Sequence, residues 1–427
     1  MEEQYRTYQY RWVILAAIIP VIVSSQIFWL SLSPVSKLAA AYYSSVSGHS
    51  ISSFAIDIFT TSYLIMFILF TFPASWVIDK YGYRVSLIIG SAMLAVFGVM
   101  RAVFAANFTL AIIFQFAVAA GQPFLLNIST KVPANWFPVS ERSIAAGLLT
   151  MAQYLGFIVP MVLSPILVDP GGLGENLIRT PAQVAIPELF KVYAIIAVAC
   201  AIVAVALTKE RPRIAPGPEA EKEVLSVRSI FRLFMNGAFC FVLIIVFVSM
   251  GVFNTLLTCI DSILGSRGLG TDGPGIVGAI FVVCGVIGAV VLPIISDKTR
   301  IRTPLFIAAI SLLVPMYIGL TFFHDFTLLC ITAALAGFAI MGVAPIIFQH
   351  GAEVAYPVKE GTSFGVIILS GQISGALFIV LYNALTGATG SILPPMLLFV
   401  GLTALQIPFA ARMKESKILL ELREGKR

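Results

Sequence analysis

Long apolar stretches, each close to twenty residues, alternate with short polar or charged connections along almost the whole chain. A helix rises about 1.5 Å per residue and the hydrocarbon core of a bilayer is about 30 Å thick, so each stretch has the length of a membrane-spanning helix. Twelve are readable, at about 12–33, 54–78, 84–105, 109–132, 142–167, 189–208, 237–262, 275–296, 303–323, 326–348, 361–385 and 392–412. Gly and Pro inside several of them are tolerable, because neighbouring helices can re-satisfy the freed backbone groups. The pattern predicts an all-α membrane protein.

The polar connections repeat. Asp79-Lys80-Tyr81-Gly82-Tyr83-Arg84 returns about 220 residues later as Asp297-Lys298-Thr299-Arg300-Ile301-Arg302. Pro138-Val139-Ser140-Glu141 returns at the same spacing as Pro357-Val358-Lys359-Glu360, and Gln153-x-x-Gly156 as Gln372-x-x-Gly375. Three matches in one order point to a duplicated unit, a common plan of secondary transporters, which hold substrate between repeats. The predicted architecture is two pseudo-symmetric six-helix bundles related by an axis along the membrane normal. Thr208-Lys209-Glu210-Arg211-Pro212-Arg213 opens a charged, Pro-rich stretch that reads as an extended linker. The expected division is thus 1–208 for the first bundle, 209–228 for a cytoplasmic linker, and 229–427 for the second bundle with a basic tail.

Composition agrees: 59% of residues are hydrophobic and 11% charged, with a mean hydropathy of +0.97. Globular chains run near 25% charged, so a soluble domain is excluded. With both termini inside, only Lys37, Arg101, Arg179, Lys191 and Arg267 among the 27 basic residues fall on or near the outer side. The positive-inside rule selects that orientation. The net charge of +6 then marks topology and lipid headgroups, with no nucleic acid implied. The short polar start lacks a cleavable-signal pattern. The five cysteines all fall in predicted helices and read as small buried hydrophobes. The three scattered histidines give no metal site. No phosphate-cradling loop or nucleophile elbow appears, so neither an enzyme, an ATP-driven pump nor a cofactor is expected.

The short connections carrying Asp79 and Asp297 force adjacent helices close and antiparallel. Asp at one helix end and Arg at the next helix start can pair with each other or with a neighbouring helix, closing the cytoplasmic face. The first copy resembles the loop signature of the major facilitator superfamily, Gly-x-x-x-Asp-Arg/Lys-x-Gly-Arg-Arg/Lys, placed after helix two. Asp79, Gly82 and Arg84 carry over as gate residues, with Asp297 and Arg302 from the second copy. Ser75, Tyr83, Pro293 and Arg300 depart from the pattern. Within that superfamily, Phe72-Pro73-Ala74-Ser75-Trp76-Val77-Ile78-Asp79, Pro133-Ala134-Asn135-Trp136-Phe137 and Lys209-Glu210-Arg211-Pro212 resemble the feline leukaemia virus subgroup C receptor-related family, solute carrier family 49. So does the run from Gly337-Phe338 through Gly342, Pro345, Phe348, Glu353, Tyr356-Pro357 and Glu360-Gly361-Thr362-Ser363 to Gly365.

Gln153, Gln372 and Gln122 each lie about 16–20 Å along their helices, near the bilayer midplane. A lipid-facing amide at that depth would be unsatisfied, so these face the bundle interior, as packing hydrogen bonds or as a solute site. The resemblance implies the second. Gln122, Gln372 and Trp29 match positions that line a pocket for amine alcohols such as choline in the related family. Ile58 and Asn254 stand where its choline carriers have a Trp and a Tyr. Quaternary ammonium recognition relies on aromatic faces at ~0.5–2 kcal/mol each, so choline is not the expected preferred substrate. Trp29 is otherwise an interfacial anchor. Asp57 and Asp261, at the outer ends of their helices, read either as solvated charges or as an outer anionic ring. Arg101 ends helix three on the outer side, and Glu353 lies at the inner end of helix ten.

The expected function is alternating-access transport of a small organic solute across the cell membrane, secondary-active or facilitative, by a monomer with both termini cytoplasmic. No charged residue is placed at the midplane, which favours uniport or weak coupling. A non-transport receptor or scaffold with a transporter fold, or a haem or tetrapyrrole carrier, remains the alternative.

Overall fold

The computed structural model describes residues 6–169, 184–214, 216, 227–265, 267–270, 272–299, 301–355, 358 and 360–413. Its helices are α1 (Tyr10–Leu30), α2 (Ser36–Ser47), α3 (Ser53–Tyr81), α4 (Tyr83–Val103), α5 (Phe108–Leu126), α6 (Ile128–Trp136), α7 (Val139–Val168) and α8 (Ile186–Leu207). They continue as α9 (Val227–Met235), α10 (Gly237–Thr258), α11 (Ile260–Leu264), α12 (Gly273–Thr299), α13 (Thr303–Phe322), α14 (Phe326–Val354), α15 (Glu360–Thr389) and α16 (Leu393–Ala411). Among the described residues, twelve helical stretches are long and apolar enough to cross a membrane, with α1–α2 and α5–α6 each counted as one. That is the number the hydropathy predicts.

The helices outrun the apolar stretches at their ends. α3 continues through Asp79 and Lys80, and α15 reaches Thr389. Hydropathy registers only the lipid-facing length, whereas the backbone hydrogen bonds continue past it. Three stretches are also broken. A short turn at Ser33–Val35 containing Pro34 separates α1 from α2, Asn127 separates α5 from α6, and Cys259 separates α10 from α11. Asn127 follows Pro123, and its side-chain amide donates to Thr71 O and Oγ1, both at 3.1 Å, and to Ser75 Oγ at 3.2 Å. Side chains of Ser52, Asn107, Asn236 and Asp325 cap α3, α5, α10 and α14 by accepting first-turn amides, which satisfies donors a helix start leaves free.

The chain packs as two compact units, residues 1–221 with 270–275, and residues 222–269 with 276–427. In the first, α1 packs on α7 and α8, and α4 on α5 and α8. In the second, α10 packs on α15 and α16, and α13 on α14 and α16. Numbering the spans within each unit, the first touches the fifth and sixth, and the third touches the fourth and sixth, in both. The repeated motifs therefore come with a repeated packing scheme. Of the segment expected as linker, residues 215 and 217–226 lie outside the described residues; its opening, Lys209 and Glu210, is held against the first unit.

Polarity is distributed inside-out relative to a soluble protein. Ile195, Val103 and Ile202 are mostly exposed, whereas Ser24, Ser25, Gln26, Gln115 and Gln122 are buried. Such a surface is stable only with lipid as its solvent. Two sequence readings are corrected. Asp57 and Asp261 are buried, at 2% and 7% exposure, so they are not solvated helix-end charges. Hydropathy places a residue along a helix but not around it. Trp29 is buried as well, with its indole N–H donating to Thr60 O at 3.1 Å, and is no interfacial anchor.

Candidate functional site

In the first unit the amides gather where α1, α5 and α7 meet. Gln122 on α5 donates through Nε2 to Oε1 of Gln26 on α1, at 3.3 Å. Both side chains are buried, and Gln26 Nε2 has no hydrogen-bond partner among the described residues. Gly156 on α7 makes this possible. A Cβ there would stand 2.7 Å from Val23 O and would collide with the Gln26 side chain, so glycine lets α7 close onto α1 at the amide. Gln153, one turn earlier on α7, is half-buried. One turn beyond Gln26, Trp29 stacks on Tyr63 with centroids 6.5 Å apart and meets Phe157 edge-on at 5.2 Å. The result is an aromatic wall beside an amide pair.

The second unit repeats the device with different residues. Gly375 on α15 faces Asn254 on α10, and a Cβ at Gly375 would lie 2.6 Å from Asn254 Nδ2 and 3.0 Å from its Cβ. Asn254 is buried and its Nδ2 has no partner among the described residues. Gln372, one turn before Gly375, is half-buried, and its Oε1 is enclosed without a partner. The Gln-x-x-Gly repeat therefore has one physical meaning in both units. Its glycine admits a buried amide from the first span of that unit.

At the predicted cytoplasmic ends the two units differ. Gly82 has φ 93°, a conformation a side chain rarely adopts, and it turns the chain sharply from α3 into α4. The amides of Tyr83 and Arg84 that open α4 donate to the Glu210 carboxylate at 3.2 and 2.7 Å. A carboxylate at a helix N-terminus answers both the free N–H groups and the positive end of the dipole. Trp136 Nε1 donates to Tyr83 OH at 2.9 Å and to Lys209 O at 3.1 Å, Tyr83 OH donates to Lys209 O, and Asn135 Nδ2 donates to Glu210 O at 3.3 Å. Asp79 meets Lys131 on α6 at 3.8 Å, in a partly exposed pair. Arg11 on α1 and Glu141 on α7 form a two-pronged pair at 3.0 and 3.3 Å. In the second unit Arg302 and Glu353 form an ion pair whose side chains are only 5% and 11% exposed.

Residues 8–379 match the profile of the Major Facilitator Superfamily. The chain belongs to that superfamily. It is 25% identical over 402 residues to Solute carrier family 49 member A3 of Xenopus tropicalis, covering 90% of this chain and 79% of that one. It is 26% identical over 410 residues to the Choline/ethanolamine transporter flvcr2a of Danio rerio, covering 91% and 83%. Among solved structures, it aligns with a D-xylose-proton symporter at TM-score 0.71 and 14% identity, covering 96% of this chain and 99% of that one. An inward-facing bacterial homologue of the human lysosomal transporter Spinster aligns at TM-score 0.67 and 16% identity, covering 98% and 96%. The protein is thus a multi-pass membrane protein of the major facilitator fold, of a superfamily that transports solutes, and it resembles the solute carrier 49 branch.

In this superfamily member the sequence-derived residues fall as follows. Gln122 and Trp29 share one neighbourhood with Gln26, while Gln153 lies a turn from Gly156. Asn254 and Gln372 lie at the α10–α15 contact. Asp79 meets Lys131 rather than Arg84, whose exposed side chain enters no ion pair among the described residues while its backbone amide joins the Glu210 cap. Arg302 finds Glu353, and the side chain of Asp297 lies outside the described residues. Gln26 and Tyr63 carry no motif of their own, and Glu210 enters the sequence reading only within Lys209-Glu210-Arg211-Pro212. Gln26 and Glu210 become visible only through their partners: the first from a glycine on another helix, the second from two amides over a hundred residues earlier in sequence.

Proposed function

We propose that the protein carries a small polar or weakly cationic organic solute, of the primary amino-alcohol kind, across the cell membrane without ATP. Transport proceeds by alternating access, with both termini cytoplasmic. Gln122, Trp29, Gln153, Asn254 and Gln372 contact the solute, and Asp79, Gly82, Arg84, Asp297 and Arg302 belong to the cytoplasmic gate. The observation that carries this reading is a set of enclosed amide atoms lacking partners: the donors Gln26 Nε2 and Asn254 Nδ2, and the acceptor Gln372 Oε1. Leaving such an atom unsatisfied costs about 1–3 kcal/mol. Gln372 and Asn254 stand at positions that resemblance places in a solute pocket, and Gln26 pairs with Gln122, which does too, so the three atoms support use by a ligand. A hydroxyl answers the donors and a primary ammonium answers the acceptor. A quaternary ammonium offers no N–H and depends on aromatic faces at ~0.5–2 kcal/mol each; Ile58 and Asn254 supply none.

Uptake of labelled ethanolamine and choline into proteoliposomes, with and without a pH gradient, tests the proposal. The expected result is saturable uptake that favours ethanolamine, persists without the gradient, and falls strongly in Gln372→Ala while the variant inserts normally. Preference for choline would overturn the substrate assignment. Strict dependence on the gradient would overturn the uncoupled mechanism, and equal loss of uptake and insertion would return the amides to a packing role.

A further inference from the structure

Arg101, in the last turn of α4, is 0% exposed. Its guanidinium lies between two aromatic rings, 4.3 Å from the Phe28 centroid and 4.0 Å from that of Phe190. Nη1 donates to Gln115 Oε1 and, at 3.4 Å, to Ser31 Oγ. Gln115 is fully engaged, since its Nε2 also donates to Phe28 O at 3.2 Å and Phe59 O at 3.0 Å. The remaining guanidinium nitrogens, Nε and Nη2, are buried without a hydrogen-bond partner among the described residues. A chain of rings ties the tyrosines to this charge: Tyr43 meets Phe108 at 5.1 Å, Phe108 meets Phe59 at 6.1 Å, and Phe59 meets Phe190 at 6.2 Å. Tyr63 follows Phe59 by one turn on α3, and Tyr193 meets Phe28 at 6.5 Å. Among the described residues no carboxylate forms an ion pair with Arg101. Tyr193 OH is occupied by Ser164 Oγ at 2.8 Å. Tyr43 and Tyr63 are buried, and neither hydroxyl has a hydrogen-bond partner among the described residues.

One full positive charge and four unanswered donor groups thus occupy the same buried part of the first unit. Two aromatic faces offset part of the desolvation of a cation, but a buried charge normally has a counter-charge. Water would satisfy the hydrogen bonds and leave the charge. An acceptor carrying one negative charge satisfies both, and donors on three different side chains suit a small, near-spherical ion. We propose that the first unit contains a buried monovalent-anion site of halide class, held by Arg101 Nε and Nη2 and by the hydroxyls of Tyr43 and Tyr63. Tyr63 also stacks on Trp29, so occupancy steadies the aromatic wall beside the Gln26–Gln122 pair.

The test is thermal unfolding of the purified full-length protein in detergent, in sodium chloride, sodium bromide or sodium gluconate at one ionic strength. A ligand bound only by the folded state stabilises it in proportion to the logarithm of its concentration. Chloride and bromide are expected to raise the Tm by roughly 1–2 °C per tenfold increase above Kd, and gluconate is expected not to. The doubly substituted Tyr43→Phe, Tyr63→Phe keeps the charge and the ring volumes, and is expected to lose most of the halide response. Arg101→Met is expected to abolish it; should that variant not fold, the tyrosine variant decides. A bromide-soaked crystal should show anomalous density at the Arg101 guanidinium. A wild-type Tm indifferent to the anion, or a tyrosine variant with an unchanged response, would overturn the site.

Discussion

The two units solve the same packing problem and then part company. In each, a glycine on the fifth span admits a buried amide from the first span: Gly156 with Gln26, Gly375 with Asn254. The first unit goes on to pair its amide with Gln122, leaving one unanswered nitrogen, whereas the second leaves both Asn254 Nδ2 and Gln372 Oε1 unanswered. The loop signatures diverge in the same manner. The first copy keeps its glycine turn, is capped by Glu210, and leaves Asp79 and Lys131 half in solvent. The second lacks that glycine and carries a buried Arg302–Glu353 pair. The repeated motifs thus share the geometry that lets helices approach, while the polar groups they bring together differ. Steric slots constrain backbone, and polar partners can be exchanged one side chain at a time.

The sharpest way to break this comparison is at the charged pairs. Removing one member of a buried pair strands the other, at about 3–5 kcal/mol. Glu353→Ala is therefore expected to lower stability strongly, by chemical denaturation of purified protein, and Arg302→Met with Glu353→Leu to recover much of it. If Glu353→Ala is mild, the pair is not isolated from water as its low exposure indicates.

The glycine slots come next. At Gly156 an added methyl meets a backbone carbonyl, Val23 O, as well as the Gln26 side chain; at Gly375 it meets side-chain atoms of Asn254. Backbone cannot step aside, and overpacking typically costs about 1–3 kcal/mol. Gly156→Ala should fall at the upper end of that range and Gly375→Ala at the lower, while Gly375→Ala should still depress uptake by displacing Asn254. Equal thermal shifts in the two variants would mean that the slots are more alike than the distances say.

Much of this was readable in the sequence, and the boundary has physical causes. The twelve spans were legible because lipid imposes apolar length directly on composition. The Gln-x-x-Gly repeat was legible as a repeat, but its purpose was not, since Gln26 and Asn254 lie on helices remote in sequence from their glycines. The breaks at Asn127 and Cys259 left no hydropathy signal, as both fall inside apolar surroundings. Asp57 and Asp261 are legible as positions near the ends of apolar stretches but not as buried ones, because rotation about a helix axis is fixed by packing partners. Glu210 sat in a stretch whose composition says linker, and only the amides it caps reveal its task.

Among the amides the contrast sharpens further. Gln372 Oε1 makes no hydrogen bond in the protein, so Gln372→Ala should leave thermal stability nearly unchanged. The same truncation of Gln122 removes its bond to Gln26 and should lower stability by about 0.5–1.5 kcal/mol. Both should reduce uptake efficiency roughly tenfold if each contributes one solute hydrogen bond worth about 1.4 kcal/mol. Uptake that tracks stability in both variants would assign the amides to packing.

The smallest effect is expected at the ion pair made by Asp79, the acid of the loop signature. Asp79 and Lys131 are 3.8 Å apart, with side chains 62% and 31% exposed, and a solvated pair contributes only ~0–1 kcal/mol. Lys131→Ala should therefore unfold within a fraction of a kcal/mol of the wild type, with any difference fading in high salt, where the Debye length falls to about 3 Å at 1 M. A gate needs no more, because a conformational equilibrium moves by whatever energy separates its two states. Cysteine-accessibility labelling from the cytoplasmic side reads that equilibrium separately from stability. Asp79→Asn should change the labelling while leaving the denaturation midpoint in place. Unchanged labelling would leave Asp79 as a topology charge, and would move the gating contrast between the units onto the Glu210 cap of α4 and the buried Arg302–Glu353 pair.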